Sequence, residues 1–321
     1  MEPDQKTRLE RVFFGTIRIV PELPEVETTR AGIAPTLLGH RVREVIVRQR
    51  RLRWPITRGF ETAIRGHTVR SVERRAKYIL AHLEGGLVLA MHLGMTGRFS
   101  VSAVSAKGRK EAPSSSIQLG DYVYEHGRDV RHDHIVFTLR NGTVITYNDA
   151  RRFGYMALIP RDGLAEDPFF AGLGVEPLGK DLTPKYLAGQ ALGRRTDLKA
   201  FLMDQRIIAG LGNIYVCEAA FRAGLSPFKP AASLATRTGA PKPAADRLVR
   251  EIKAVLEEAI RAGGSTLRDY QDAHGNSGSF QQSFFVYGRE GEPCLRKGCR
   301  GTVRRKTQGG RSTFYCPVCQ R

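Results

Sequence analysis

The chain has no long hydrophobic run, and acidic residues are scarce in it. No stretch approaches the roughly 18 uncharged apolar residues that cross a membrane, so a membrane role is not expected. The 321 residues include 51 Lys and Arg but only 32 Asp and Glu, which gives a formal net charge of +19. Such an excess is unusual for a metabolic enzyme and predicts a polyanionic partner.

Cysteine is also scarce, and its five copies are unevenly spread. Cys217 lies alone in a segment with a helical pattern, whereas the other four form two pairs near the C-terminus. This usage predicts a reducing compartment and no disulfides. Residues 1–20 lack the apolar core and the cleavage site of a secretory signal, so we expect a cytoplasmic protein.

The four cysteines of the tail have the spacing of metal ligands. Cys294 and Cys299 form a Cys-x4-Cys pair, and Cys316 and Cys319 form a Cys-x2-Cys pair. Two such knuckles can hold one tetrahedral ion, for which zinc is the expected metal. Because four thiolates leave no open coordination position, the zinc would be structural. The residues between the knuckles predict a β-hairpin, with Arg311 just past its turn.

From Cys294 to its end, the tail contains eight basic residues and no acidic residue. The basic residues are Arg296, Lys297, Arg300, Arg304, Arg305, Lys306, Arg311 and Arg321. Charge concentrated in this way predicts a phosphate-binding surface on DNA rather than a general aid to solubility. Arg311 is the candidate contact, since a guanidinium on a metal-braced hairpin can bind a phosphate through two hydrogen bonds.

The rest of the chain divides into a β-rich part and a helical part. Short runs rich in Val, Ile, Tyr and Thr between Val42 and Phe153 predict an all-β domain, preceded by a helix over Glu25–Leu38. Residues 102–131 have little periodicity and predict a surface loop. Residues 160–183 are rich in Pro, Gly and Asp and predict a linker.

After the linker the pattern becomes helical. Thr183 is the expected N-cap of the first helix, with Pro184 at its first position. In the last long helix, apolar residues recur every three or four positions from Leu248 to Ile260, which predicts a buried stripe that ends at Gly263.

Six segments carry motifs whose order is more specific than any one of them. Composition alone indicates only a helix entry for the first, which begins at Pro21. The segments are PELPEVETTR from Pro21, RRAKY at Arg74–Tyr78, HLGMTGR at His92–Arg98, DARRFG at Asp149–Gly154, GLGNIYVCE at Gly210–Glu218, and the tail with its four cysteines. In this order they resemble the formamidopyrimidine-DNA glycosylase family over residues 21–321.

The resemblance implies an α+β fold of three parts and one zinc ion. A β-sandwich domain with flanking helices would occupy 21–159, a helix-two-turn-helix domain 184–284, and a β-hairpin zinc finger 285–321. Within the helical domain, the Gly- and Ser-rich stretch from Ser265 to Ser283 resembles the family's loop over the flipped base.

The resemblance also implies an activity. Family members remove oxidised purines such as 8-oxoguanine from DNA and then cut the strand at the abasic site. The nucleophile maps to Pro21 and the acid that protonates the sugar ring oxygen to Glu22, with Glu25 in a supporting position. Lys77 would bind a phosphate near the lesion, and Arg311 would donate a proton in the second elimination.

A flipped base leaves a gap in the duplex that must be filled. The resemblance assigns this task to Met95, Arg151 and Phe153. The other expected DNA contacts are Arg152, His132, Lys199 and Asn213. We expect the partner to be double-stranded DNA with oxidised purines or abasic sites, and the protein to be a monomer.

The sequence departs from the family pattern at two places. The twenty residues before Pro21 would leave its nitrogen an amide, so we expect them to be non-native or removed, with Val20 as the true translation start. The first cysteine pair is also wider than the family's usual Cys-x2-Cys. Two alternatives stay open: an endonuclease VIII-type enzyme for oxidised pyrimidines, although Leu23 departs from its typical PEGPE, and a zinc-finger DNA-binding protein without catalysis.

Overall fold

The structure, a computed structural model, describes residues 21–103, 129–265 and 280–321. The helices are α1 (Leu23–Leu37), α2 (Phe60–Ile64), α3 (Pro184–Ala191), α4 (Leu198–Met203), α5 (Asn213–Arg222) and α6 (Pro243–Arg261). The strands are β1 (Val42–Val47), β2 (Val69–Arg75), β3 (Tyr78–Leu83), β4 (Leu87–His92), β5 (Arg98–Ala103), β6 (Asp133–Leu139), β7 (Thr143–Asn148), β8 (Tyr155–Pro160), β9 (Arg304–Gln308) and β10 (Arg311–Tyr315). Short 3-10 helices lie at Val130–His132, Arg161–Gly163, Ala231–Leu234 and Phe280–Ser283.

The N-terminal half is a β-sandwich of two antiparallel four-stranded sheets. Their strand orders are β1-β6-β7-β5 and β2-β3-β4-β8. Apolar side chains from the facing sides of both sheets, such as Phe137 and Met91, form one buried core with α1. The second sheet is also covered on its outer side, where Phe170 packs on Leu80 and Val88. This double burial explains why β3 and β4 are almost continuously apolar in sequence.

Helix α1 begins two residues earlier than the sequence predicted, at Leu23 rather than Glu25. The reason is local. Glu22 occupies the N-cap position and its backbone N–H donates to Oε2 of Glu25 at 2.9 Å, while the fixed φ of Pro24 suits the first helical turn. The earlier start matters because it fixes the backbone direction at Pro21 and Glu22.

The linker that follows β8 fastens the two halves together. Glu176 forms ion pairs with Arg74 and Arg75, at 2.7 and 2.8 Å, and also accepts the backbone N–H of Ala76. Ala76 has a φ of 52°, a left-handed conformation that few residues other than glycine adopt. Glu176 therefore holds the tight turn between β2 and β3, on which Lys77 lies.

The helical half and the zinc finger share one hydrophobic core. The side chain of Thr183 accepts the N–H of Tyr186, which confirms the predicted N-cap of α3. The predicted stripe of α6 is buried from Leu248 to Ala259. Val303 and Phe314 of the finger pack into the same cluster as these helices. The finger is thus continuous with the helical half rather than a separate core.

Three predicted segments lie wholly or largely outside the described residues: 1–20, most of the loop over 102–131, and most of the stretch from Ser265 to Ser283. At the edges that are described, β5 continues to Ala103, and a 3-10 helix begins at Val130. None of the helices in the described ranges is long and apolar enough to cross a bilayer.

Candidate active site

A cavity of about 1010 Å³ lies between the two halves of the molecule. The sandwich contributes Pro21, Glu22, Arg53, Ala76, Lys77, Tyr78, His92, Gly94, Met95 and Phe153 to its wall. The helical half and the finger contribute Met203, Gln205, Leu211, Gly212, Asn213, Ile214, Tyr287, Arg305, Arg311, Ser312 and Phe314, and the linker contributes Leu173. The structure thus brings residues that are almost 300 positions apart in sequence to one site.

Glu22 is the most unusual group in the cavity. Its side chain is only 4% exposed, and its Oε1 accepts the backbone N–H of Ile214 at 3.2 Å. Its Oε2 has no hydrogen-bond partner among the described residues. Burial raises the pKa of Glu22 to about 7, although the positive charge of Lys77 opposes this shift. A carboxyl with this pKa can donate a proton near neutral pH.

The space for the Glu22 carboxyl depends on Gly212. A Cβ atom built at Gly212 would overlap the carboxyl group of Glu22. Gly212 is also the N-cap of α5, so the backbone N–H groups of that helix, including that of Ile214, point toward the carboxyl. The glycine therefore allows the helix to approach the acid closely.

Glu25 lies one helical turn from Glu22 and has quite different surroundings. Its carboxylate is fully buried and accepts four hydrogen bonds. The donors to Oε1 are the hydroxyl of Tyr215 at 2.6 Å and both the N–H and the hydroxyl of Ser265, at 2.7 and 2.8 Å. The fourth donor is the N–H of Glu22. Glu25 therefore joins α1 to the helical half and fixes the backbone of Glu22.

Lys77 extends from the β2–β3 turn into the same cavity. Burial lowers the pKa of Lys77, whereas the negative charge of Glu22 favours its charged form. The positive charge of Arg311, across the cavity, lowers it further. Two cations and an acid therefore face one space, which suits a substrate with phosphate groups.

His92 is a cavity residue that the sequence did not single out. Its Nδ1 accepts the backbone N–H of Gly94 at 2.9 Å, and its ring stacks on Tyr155. Burial lowers the pKa of His92 to about 4, with Lys77 as a second cause, so the ring is neutral at pH 7. Only its place in HLGMTG, three residues before Met95, could have indicated it.

Met95, Arg151 and Phe153 lie together at the edge of the cavity. Phe153 is 41% exposed, and the guanidinium carbon of Arg151 lies 4.5 Å from the centre of its ring. Met95 and Phe153 line the cavity, whereas Arg151 does not. Arg152, which follows Arg151 in sequence, has a φ of 56°, is exposed and does not line the cavity.

On the opposite wall, Asn213 and Lys199 hold the finger hairpin. The side-chain amide of Asn213 donates to the carbonyl of Ser312 at 3.0 Å and to the hydroxyl of Tyr287 at 3.3 Å. Lys199 is 2% exposed, and its ammonium donates to the same carbonyl and to Thr313 Oγ1. Both contacts adjoin Arg311, which is itself exposed and lines the cavity.

One predicted contact lies outside the cavity, and one residue of the cavity wall was not predicted. His132 lies in the 3-10 helix before β6 and does not line the cavity. Tyr287, which the sequence missed, is held in the wall because the carboxylate of Glu218 accepts the N–H groups of Phe285, Val286 and Tyr287. The Glu of GLGNIYVCE was the only sequence signal for this contact.

The four cysteines of the tail meet at one point. The Sγ atoms of Cys294 and Cys319 are 3.7 Å apart, as are those of Cys299 and Cys316, and all four lie within 4.8 Å of one another. Tetrahedral zinc with Zn–S bonds of about 2.3 Å places its sulfurs about 3.8 Å apart, so the quartet fits this metal. The cluster is a structural zinc site.

The wider first knuckle has a structural use. It contains Arg296, whose guanidinium donates to the carbonyls of Phe221 and Arg222 at the end of α5. These carbonyls belong to the end of a helix, where backbone acceptors lack partners within the helix. The wider knuckle therefore still brings both of its cysteines into the zinc site, and its Arg296 helps to dock the finger on α5.

Comparisons with known proteins agree with this architecture. Three family models match in order: the formamidopyrimidine-DNA glycosylase N-terminal domain over 20–156, its H2TH domain over 173–271, and the zinc finger found in FPG and IleRS over 291–321. The formamidopyrimidine-DNA glycosylase of Rhodopseudomonas palustris (strain BisB18) is 52% identical over 302 residues, covering 94% of this chain and 100% of that protein. The chain belongs to the formamidopyrimidine-DNA glycosylase family.

Solved structures of the family support the same conclusion. MutM (Fpg) from Thermus thermophilus is 39% identical, with a TM-score of 0.71 over 94% of this chain and 98% of that one. Lactococcus lactis Fpg, solved with DNA that contains N7-benzyl-Fapy-dG, is 28% identical, with a TM-score of 0.76 over 94% and 100%. The predicted β-sandwich, helix-two-turn-helix and hairpin finger are thereby confirmed, and the chain is a DNA glycosylase and abasic-site lyase of base excision repair.

Proposed function

We propose that Pro21 is the nucleophile of this enzyme, which removes oxidised purines from DNA and then cleaves the strand at the abasic site. The observation that carries the proposal is the carboxyl of Glu22, directly beside Pro21, with its pKa raised to about 7. Pro21, Glu22, Lys77 and Arg311 line one cavity, so a nucleophile, an acid and two phosphate-binding cations would face the same sugar.

The nucleophile must be a free secondary amine. A terminal amine has a pKa of about 8, so a useful fraction carries a lone pair at neutral pH, whereas an amide nitrogen has none to offer. We therefore propose that the active form begins at Pro21, with Val20 as a start residue that is removed. The family model that begins at residue 20 supports this view.

The reaction then follows from the groups in the cavity. The lone pair of the Pro21 nitrogen forms a bond to C1′, and the glycosidic bond breaks with its electrons going to the base. The Pro21 nitrogen then loses its proton, which balances the charge of the departing base. Glu22 gives its proton to the ring oxygen of the sugar, the C1′–O bond breaks with its electrons going to that oxygen, and the lone pair of the nitrogen forms an iminium between Pro21 and C1′. The iminium acidifies C2′, so loss of that proton expels the 3′ phosphate. A second elimination, with Arg311 as proton donor, expels the 5′ phosphate.

The proposed substrate is double-stranded DNA that contains oxidised purines or abasic sites. Relatives from Lactococcus lactis have been solved with Fapy-dG DNA and with abasic-site DNA. The net charge of +19 and the cations around the cavity support binding to a DNA backbone. We propose that Met95, Arg151 and Phe153 fill the gap that the flipped nucleotide leaves, since they form one group at the cavity edge.

The remaining predicted residues divide by position. Asn213 and Lys199 would act through the hairpin that they hold, and so would orient Arg311, in addition to any direct phosphate contact. Arg152 and His132 lie outside the cavity wall and would contact the flanking backbone. We propose the domain limits 21–159, 184–284 and 285–321, a linker over 160–183, and a cytoplasmic monomer, whose mass light scattering would measure.

Borohydride trapping tests the nucleophile. Enzyme made from the native gene, incubated with a duplex that carries 8-oxoguanine opposite cytosine, should become covalently fixed to the DNA when the iminium is reduced. Pro21→Gly should weaken the adduct by about tenfold or more, because it replaces the secondary amine. Binding of the same duplex, measured without borohydride, is the control and should persist. Active, trapped enzyme whose intact mass still includes residues 1–20 would contradict the proposal.

A further inference from the structure

Two loops at the cavity edge come from different parts of the sandwich and interlock at their backbones. Residues 92–98 join β4 to β5 and carry Met95, and residues 149–154 join β7 to β8 and carry Arg151 and Phe153. A Cβ atom built at Gly94 would overlap the backbone of Phe153 and Gly154. The loops are therefore in direct contact.

The carboxylate of Asp149 lies between these loops and is fully buried. Its Oδ1 accepts hydrogen bonds from the hydroxyl of Thr96 and from the N–H of Arg151 at 3.3 Å. Its Oδ2 accepts the N–H of Gly154 at 2.8 Å and the hydroxyl of Tyr147 at 3.1 Å. Both oxygens are thus shared between a hydroxyl and a backbone N–H of the second loop.

Thr96 completes the connection. Its hydroxyl donates to Asp149 and also accepts the N–H of Arg151 at 3.1 Å, so one side chain of the first loop binds two groups of the second. The main chain of Asp149 is anchored in turn to the carbonyl of His132, at the end of the 3-10 helix before β6, and to the ring of His134 in β6. The assembly is therefore fixed to the sandwich.

We infer that Asp149 is a positioning residue for nucleotide flipping: its carboxylate holds the two loops as one unit, so that Met95, Arg151 and Phe153 enter the duplex together. The inference rests on the proposed role of those three side chains. Side chains that the loops already hold in position lose less conformational freedom when they enter the duplex. More of their binding energy then offsets the free-energy cost of flipping the nucleotide.

Asparagine is a sharp probe of this arrangement. An amide can replace only one carboxylate oxygen with an acceptor, and its NH2 group would face a backbone N–H in either orientation, that of Arg151 or that of Gly154. Hydroxyl groups can rotate away from such a conflict, but backbone N–H groups cannot. Asp149→Asn therefore loosens one loop and leaves Pro21 and Glu22 untouched.

Two substrates separate flipping from chemistry. An 8-oxoguanine duplex requires flipping, whereas a single-stranded oligonucleotide with an abasic site does not. For Asp149→Asn we expect kcat/KM on the duplex to fall by about tenfold or more, which one lost hydrogen bond to a charged group can produce. Cleavage of the single strand should stay within about twofold.

Tyr147→Phe is the matched control. It removes one donor to the same carboxylate. That hydroxyl belongs to β7 and packs against Gly97 and Gly154, one in each loop, but its hydrogen bond goes to Asp149 and does not join the loops, and Phe keeps the ring in place. Excision from the duplex should therefore stay within about twofold of the wild type. A fall as large as that of Asp149→Asn would overturn the inference, because the total number of hydrogen bonds would then matter rather than the link between the loops.

Thr96→Val covers the case in which Asp149→Asn does not fold. It removes the hydroxyl that bridges the loops and should reduce duplex excision by about threefold or more, again without loss on the single strand. Equal losses on both substrates, or no loss in either variant, would overturn the inference. A wild-type enzyme without duplex excision would instead count against the proposed function, so the two failures are distinct.

Discussion

The first turn of α1 buries two carboxyl groups three residues apart, and their surroundings differ. Glu25, which does not line the cavity, is surrounded by four donors. Glu22, which lines the cavity, has one backbone donor at Oε1 and none, among the described residues, at Oε2. Burial raises the pKa of Glu22 to about 7.

The difference shows how a fold can give two glutamates different tasks: one holds the backbone in place, and the other is suited to proton transfer. Buried polar atoms are nearly always hydrogen-bonded, so an exception calls for a functional reason. Because four hydrogen bonds hold its carboxylate, Glu25 is a rigid brace for the backbone of Glu22. Burial with an incomplete set of hydrogen bonds raises the pKa of Glu22, so in its proposed role the carboxyl would have a proton to give to a substrate near neutral pH.

The largest expected effect is the loss of excision in Glu22→Gln. An amide fills the same space but cannot donate the proton, and general acid catalysis commonly contributes about 10²- to 10⁴-fold. We expect single-turnover excision of 8-oxoguanine from a duplex to fall by that amount while binding of the duplex persists.

The pH profile sharpens this prediction. Because Glu22 must be protonated to act, the wild-type rate should fall as the pH rises above about 7, in line with its raised pKa. The variant should lack this alkaline limb. An unchanged alkaline limb in Glu22→Gln would show that another group is the acid, and the comparison with Glu25 would lose its basis.

Glu25→Gln should act on stability more than on chemistry. The amide oxygen can keep the donors of Tyr215 and Ser265, but its NH2 group would then face the N–H of Glu22. One lost hydrogen bond to a buried charge costs about 2 kcal/mol, so the midpoint of thermal unfolding should fall. Calorimetry at pH 7 measures this, and an unfolding midpoint equal to that of the wild type would mean that the brace is dispensable.

An effect of opposite sign is expected for the stability of Glu22→Gln. The folded pKa of Glu22, about 7, exceeds its ordinary value of 4.5, so the unfolded chain gives up this proton first. Wild-type stability is therefore highest, for this group, below pH 4.5 and declines until about pH 7. At pH 8 the variant should be more stable by about 3 kcal/mol, and below pH 4.5 the difference should vanish. Denaturant titrations at both pH values measure it; a variant less stable at pH 8 would contradict the assignment.

Sequence was most informative where function depends on local spacing. The cysteine pairs predicted the zinc site, since knuckle ligands lie within a few residues of one another. The strand and helix patterns predicted the all-β domain, the N-cap at Thr183 and the stripe of α6, because each follows from the types and spacing of neighbouring residues. The motif order supplied the family.

Sequence was least informative where distant segments meet. Nothing near Glu176 indicates that it holds the turn of Lys77, about 100 positions earlier in the chain. The buried position of Lys199 beneath the hairpin likewise depends on packing between α4 and β10. His92 and Tyr287 enter the cavity through such long-range contacts, which no local periodicity encodes.

Helix α5 can approach Glu22 closely because Gly212, at its N-cap, has no side chain. A single methyl group at this position would occupy the place of the Glu22 carboxyl, although every other side chain of the cavity would still be present. In a survey of random variants, a residue with no side chain would therefore rank beside the acid itself in intolerance. The cause would be occupied volume, and a small molecule lodged in the same gap would disable the enzyme in the same way.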